Sequence, residues 1–169
     1  MTKEINAPNY IISILILLGL AACAQTKKYT PNYFTILDQI EGRNVLDQCS
    51  RTSPTKVENF FTPTSNEISV LENNFRKLLK TKSIDCCNPA VQIKKLKRTV
   101  FQYTGLIIDH KKYIYINAFQ IDSPEDLHNY YPDWQFKPVI IYEGGETEWR
   151  ELFNLDEKKF LQLTFNGVA

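Results

Sequence analysis

The chain has 169 residues, of which 43% are hydrophobic and 23% are charged, and these proportions are ordinary for a globular protein. Its formal net charge of +1 excludes a strong overall field, so the composition gives no reason to expect nucleic-acid binding. Aromatic residues reach 12%, which favours β-strands because aromatic side chains pack well on a pleated surface.

The N-terminal segment predicts export. Residues 11–20 form an apolar run of about ten residues, whereas a membrane-spanning helix needs ~20, so the run is typical of a signal peptide. The next residues complete the sequence Leu20-Ala21-Ala22-Cys23, which resembles the lipobox of bacterial lipoproteins. That resemblance implies cleavage before Cys23 and attachment of lipid to its thiol, with acyl chains such as palmitate holding the protein on the membrane. The alternative is an ordinary secretory signal with an incidental Cys23.

The organisation expected from this anchor is a signal peptide over residues 1–22, a lipid-anchored tether over residues 23–33, and one α+β domain over residues 34–169. The tether is polar and shows no periodicity. Ala24 follows the lipobox with no acidic residue soon after it, and resemblance to known sorting signals then favours the outer membrane of the bacterial cell envelope.

Three further cysteines are Cys49, Cys86 and Cys87. Because export places them in an oxidising compartment, one disulfide is expected, and Cys49 pairing with either Cys86 or Cys87 stays open beside a strained Cys86–Cys87 bridge. No metal and no cofactor are expected, since His110 and His128 do not lie at ligand-like spacing from these thiols.

The helical half of the domain comes first. Residues 34–51 predict a short helix broken at Gly42. Thr64 and Glu67 then form a capping-box pattern, followed by apolar residues at helical spacing, which predicts a long helix over residues 65–81. The basic run Ile93–Arg98 indicates either contact with phospholipid headgroups or another anionic envelope polymer, or a solvated entry to a strand.

From Thr99 onward the hydrophobic period changes to two. A hairpin is predicted around Asp109-His110-Lys111, and a tight turn at Gly144-Gly145. The strands expected are 99–108, 112–121, an apolar central strand 138–142, 147–153 and 159–165. The fold class expected is therefore α+β, with one long helix packed on a mostly antiparallel sheet of about five strands.

The loop from Asp122 to Lys137 interrupts this sheet and is rich in aromatic residues. A brief helical turn is expected after Ser123-Pro124. One interpretation is that the aromatic residues fold back over the sheet edge, and the other is a recognition surface, since Tyr and Trp combine contact area with a polar group. The candidate partner-binding residues are His128, Tyr130, Tyr131, Asp133, Trp134 and Phe136.

Short motifs spread over the chain resemble a family of small uncharacterised bacterial lipoproteins and exported proteins. That resemblance implies one compact envelope domain and no particular activity. The motifs are Gln48-Cys49-Ser50-Arg51, Phe61-Thr62-Pro63-Thr64, Tyr113-Ile114-Tyr115-Ile116-Asn117-Ala118-Phe119 and Asn166-Gly167-Val168-Ala169.

No nucleophile-elbow, phosphate-binding or cysteine–histidine motif is present in the sequence, so no catalytic residue is assigned and an enzyme is not expected. The function expected is a lipid-anchored envelope lipoprotein that binds an unknown envelope protein. One alternative is an inhibitor or immunity protein against a muramidase, protease or toxin. The second alternative is an envelope hydrolase.

Overall fold

A computed structural model describes residues 28–49, 52–84 and 90–167. The predicted signal peptide, Cys23, Cys86 and Cys87 lie outside the described residues. No helix in the described ranges is long and apolar enough to cross a membrane.

The described residues form a mixed α+β domain, as the sequence predicts. The strands are β1 (Tyr33–Ile36), β2 (Val57–Phe61), β3 (Thr99–Ile108), β4 (Lys111–Gln120), β5 (Glu148–Asn154), β6 (Lys159–Phe160) and β7 (Thr164–Phe165). The α-helices are α1 (Gln39–Asn44), α2 (Ser65–Leu78) and α3 (Glu125–Asn129), and a 3₁₀ turn covers Gly145–Thr147.

The sheet is mostly antiparallel and is organised around the β3–β4 hairpin. Strand β3 pairs with β4 along ten residues, and β4 pairs with β5. On the other edge of β3, β1 pairs in parallel beside its first half and β2 antiparallel beside its second half. At the opposite edge, β5 pairs with both β6 and β7.

Helix α2 begins where the capping box predicts. The Thr64 side chain accepts the Glu67 amide, and the Glu67 carboxylate accepts the Thr64 amide at 2.8 Å. The helix ends at Leu78 after 14 residues, so the prediction of one long helix is wrong. The described residues contain three short α-helices in place of that single long one.

The β3–β4 hairpin is confirmed to within one residue. Asp109 and His110 carry positive φ values of 47° and 60° and form a two-residue turn, which matches the twist of the flanking strands. Lys111, expected in the turn, is the first residue of β4.

The two faces of the sheet bury different clusters. Helix α2 covers one face, where Phe75 packs edge-on against Phe101 with ring centroids 5.2 Å apart and Trp149 is fully buried. Two smaller clusters occupy the other face. One contains Tyr115 and Leu152 near α1, and α3 and the residues after it cover the second.

Several expectations about the C-terminal half are wrong. Residues 138–142 form no strand, so the turn at Gly144 and Gly145 joins no hairpin, although both have positive φ. The single strand expected over residues 159–165 is two short strands, β6 and β7, separated by residues 161–163.

The N-terminal half also differs. Gly42 lies inside α1 rather than ending it, because a Cβ there would lie 1.9 Å from Thr104 Oγ1 and only glycine permits that approach. Strand β1 overlaps the start of the stretch predicted to be a short helix, and strand β2 was not predicted. The segment from Lys28 to Tyr33, assigned to the tether, packs on the domain, since the Tyr29 ring lies 5.3 Å from that of Phe75.

Candidate functional site

Residues 134–143, which we call the crossing segment, run across the sheet face opposite α2. Backbone groups of this segment meet side chains from successive strands. The Thr35 hydroxyl in β1 donates to the Gln135 carbonyl at 2.8 Å, and the side-chain Nδ2 of Asn166, just after β7, donates to the Glu143 carbonyl at 3.0 Å. The segment therefore crosses the strands instead of joining the sheet as the predicted central strand.

Gln102 and Asn117 hold the middle of the crossing segment. They are opposite each other in β3 and β4, and both are buried. Gln102 Nε2 donates to the carbonyls of Trp134 and Lys137 at 2.6 and 2.7 Å, and Gln102 Oε1 accepts the Val139 amide at 2.8 Å. Asn117 Nδ2 donates to Gln102 Oε1 and to the Val139 carbonyl, both at 2.9 Å.

This amide pair gives the crossing segment a fixed conformation. A buried backbone group without a partner costs about 1–3 kcal/mol, so a segment without sheet pairing needs other partners. Gln102 and Asn117 supply them to three residues of the segment at once. The loop is thus positioned by the rigid centre of the sheet, which suits a binding surface that must keep its shape.

Some aromatic residues of this region pack against the sheet, and others are exposed to solvent. Tyr131 packs on Phe119 with ring centroids 5.0 Å apart, and Trp134 is half-buried in the same cluster. Tyr130, Phe136 and Tyr142 are 73%, 74% and 62% exposed. The interpretation that the aromatic residues fold back over the sheet holds for the first two, while the other three remain available for contact.

A cavity of about 370 Å³, which we call the loop cavity, opens between residues 130–134 and 137–140. Its walls include Tyr130, Tyr131 and Trp134. Asp133 and Lys137 form an ion pair at 2.9 Å with both side chains exposed. The cavity thus combines aromatic walls with one pair of opposite charges.

Four of the six predicted binding residues line the loop cavity: Tyr130, Tyr131, Asp133 and Trp134. The other two lie outside it. His128 is exposed in the last turn of α3, and Phe136 is exposed on the crossing segment. The structure therefore brings most of the predicted set together around one concavity.

The arrangement offers little for hydrolysis. Asp133 is the one acidic residue among the described residues that line the loop cavity, and it is paired with Lys137. His128 does not face it. Among the described residues no group of three His, Cys, Asp or Glu side chains is placed to hold a metal ion.

Glu151 is a buried carboxyl with a structural role. Its Oε1 accepts the amides of Leu161 and Gln162 at 2.9 and 2.7 Å, in the gap between β6 and β7, and the Leu152 amide at 2.9 Å. Its Oε2 has no hydrogen-bond partner within the described ranges. Burial raises the pKa of Glu151 to about 7, although these amides and nearby Arg150 act to lower it.

Cys49 is exposed, and its thiol is free within the described part of the chain. Its expected disulfide partners, Cys86 and Cys87, lie outside that part. The disulfide therefore stays a prediction.

Sequence reasoning missed the residues that make the site rigid. Gln102 and Asn117 are polar residues inside otherwise apolar strands, and that interruption is the signal that could have found them. Tyr142 was assigned to a central strand, so its exposure was not expected.

Comparison of the chain with known protein families, with curated proteins and with solved structures finds no match. The resemblance to small bacterial lipoproteins therefore stays a prediction that rests on the residues quoted for it.

Proposed function

We propose that this protein is a lipid-anchored lipoprotein of the bacterial cell envelope that binds another envelope protein through the loop cavity and the exposed aromatic residues beside it. The anchor is the lipidated Cys23, and the membrane is the outer membrane. The domain binds and does not catalyse.

The observation that supports this proposal most is that exposed aromatic side chains lie on a backbone segment held in place by buried side chains of the sheet. Tyr and Trp dominate the energetics of protein interfaces, because they provide large contact area with few rotatable bonds. Phe136 and Tyr142 are exposed on the crossing segment, whose backbone is held by the buried Gln102 and Asn117. Such a surface loses little conformational entropy on binding, which favours affinity.

The test is capture of a partner by the full chain and its variants. The chain is immobilised and exposed to detergent-solubilised envelope and to a panel of muramidases and proteases. We expect a single specific protein whose retention falls at least tenfold with the double change Phe136→Ala and Tyr142→Ala. The matched control is Ile40→Ala, which removes an equally exposed apolar side chain, 73% exposed, from α1. Equal retention by the double variant and the control would contradict the proposal.

Trp134→Ala is a poorer probe than these variants. Trp134 is half-buried against the cluster of Val100 and Phe119, so its removal also lowers the free energy of unfolding. Loss of binding in this variant counts only if the melting temperature is measured beside it.

The same experiment separates an inhibitor or immunity protein from a protein that only binds its partner. An inhibitor or immunity protein abolishes the activity of the enzyme it captures, and a cavity beside rigid aromatic residues favours this function as the second candidate. A partner that keeps its full activity on capture contradicts inhibition and leaves simple binding.

The proposed lipid anchor at Cys23 is tested separately from partner binding. The N-terminal peptide of the mature protein is analysed by mass spectrometry, and a diacylglyceryl mass on Cys23 is expected. The Cys23→Ser variant should lose that mass. An unmodified Cys23 in protein taken from the membrane fraction would contradict the anchor without bearing on the loop cavity.

A further inference from the structure

A second cavity, of about 420 Å³, lies on the α2 side of the domain, and its lining residues differ from those of the loop cavity. We call it the basic pocket. Three stretches form it: the N-terminal segment, the end of α2, and the basic run before β3. The lining residues are Tyr29, Thr30, Asn32, Arg76, Leu79, Lys95, Leu96, Lys97, Arg98 and Thr99.

Four cations and no acid line the basic pocket, as far as the described residues show. Arg76, Lys95 and Lys97 make no ion pair with any described residue, and all three are exposed. Arg98 donates to the Asp122 backbone carbonyl and also interacts electrostatically with the Asp126 carboxylate, so its charge is partly offset. These four positive charges exceed the roughly half negative charge that the C-terminal end of α2 contributes nearby.

The floor of the basic pocket is apolar and well ordered. Tyr29 packs on Phe75, and its hydroxyl donates to the Leu96 carbonyl at 3.1 Å. Leu79, 37% exposed, contributes an open apolar wall. A cationic rim over an apolar floor suits a ligand that has an anionic head joined to a hydrocarbon chain.

The basic pocket includes residues that follow Cys23 closely in the sequence, and this limits the distance between the pocket and the membrane. Lys28 pairs with the buried Glu72 at 2.7 Å, so the chain is fixed to the domain from this residue onward. Cys23 precedes Tyr29 by six residues, and six fully extended residues span about 20 Å at most. A lipid on Cys23 therefore holds the basic pocket within about 20 Å of the membrane surface.

We infer that the basic pocket binds the phosphate headgroup of an anionic phospholipid in the membrane that carries the protein. The choice of a lipid over a free phosphate rests on the proposed anchor at Cys23, while the anionic chemistry rests on Arg76, Lys95, Lys97 and Arg98. Each basic residue near an anionic surface changes binding about fivefold.

The experiment titrates the full chain, in micelles of a neutral detergent, with phosphatidylglycerol, phosphatidylcholine or inorganic phosphate. Binding is measured as protection of the backbone amides of residues 94–99 from hydrogen exchange. We expect protection by phosphatidylglycerol alone. Because the lipid is added, this measurement does not depend on the anchor or on the protein partner, which have their own tests.

The variant Lys95→Gln with Lys97→Gln removes two charges of the rim and should raise the half-saturating lipid concentration about 25-fold. The matched control, Lys56→Gln with Lys111→Gln, removes two exposed charges beside the β3–β4 turn, about 30 Å along β3 from Thr99 at the pocket. It should change that concentration less than twofold.

Three results would overturn the inference. The first is equal protection by phosphatidylcholine, which shows no preference for an anion. The second is equal loss in the pocket variant and its control, which shows a response to overall charge. The third is protection by inorganic phosphate and not by phosphatidylglycerol, which assigns the pocket to a free anion.

Discussion

Glu151 should make the domain less stable as the pH rises through neutrality. Its pKa in the folded protein is about 7, against the ordinary value of 4.5, because burial disfavours the carboxylate. A pKa raised by folding stabilises the protein fully below the unfolded value, and that stabilisation is lost as the pH rises through the folded value. Each pKa unit corresponds to about 1.4 kcal/mol, so through this group the free energy of unfolding falls by about 2–3 kcal/mol between pH 5 and pH 8.

The variant Glu151→Gln tests this reasoning. Glutamine keeps an oxygen for the amides of Leu161 and Gln162 and cannot ionise. Urea unfolding of both proteins from pH 5 to pH 8 should show the wild type losing about 2–3 kcal/mol relative to the variant. The control is Glu157→Gln, an exposed carboxylate on the turn after β5.

The control should track the wild type across this range, because hydrogen bonds from Lys159 and Lys111 hold the pKa of Glu157 below its usual value and keep it ionised in the folded protein from pH 5 to pH 8. A constant difference between wild type and Glu151→Gln from pH 5 to pH 8 would refute the argument. It would mean that Glu151 is charged in the folded protein throughout.

Other predictions concern single contacts. Gln102→Leu leaves the Val139 amide and two carbonyls without partners, so hydrogen exchange over residues 134–143 should rise at least tenfold; unchanged exchange would show that the crossing segment is held by other contacts. Thr64→Ala removes the capping box of α2 and should lower the free energy of unfolding by about 1 kcal/mol in urea titration. Gly105→Ala places a Cβ 2.4 Å from the Phe61 carbonyl and should cost about 1–3 kcal/mol by the same measurement.

The sequence predicts the elements whose signals are local. Thr64 and Glu67 define the start of α2 within four residues of chain, and the alternation on both sides of Asp109-His110 defines the hairpin. These patterns are read correctly because the interactions that decide them connect neighbours in the chain.

The errors come from residues whose partners are distant in the chain. The apolar stretch 138–142 predicts a strand, but side-chain amides from distant residues bond its backbone instead: Gln102 and Asn117 at Val139, and Asn166 at Ile141. Likewise the break between β6 and β7 depends on a carboxylate in β5. Gly42 predicts the end of a helix from the sequence, and only its close contact with Thr104 explains why a glycine lies inside α1.

The candidate site is predicted in part for the same reason. Aromatic composition marks the loop that contains Tyr130 and Trp134, but it cannot separate packed rings from exposed ones, since that depends on Phe119 in β4. The expectation that the chain is not an enzyme, and the disulfide of Cys49, stay predictions.

The crossing segment and the basic pocket lie on opposite faces of one sheet. The side chains of Gln102 and Asn117 bond the crossing segment on one face, while Tyr29, which lines the basic pocket, packs on Phe75 at the other face. The two proposals are therefore compatible in space. A domain that rests on lipid through the α2 side turns Phe136 and Tyr142 away from the bilayer, toward the aqueous compartment where a protein partner diffuses. The short link to Cys23 then limits the distance from the membrane at which that partner binds.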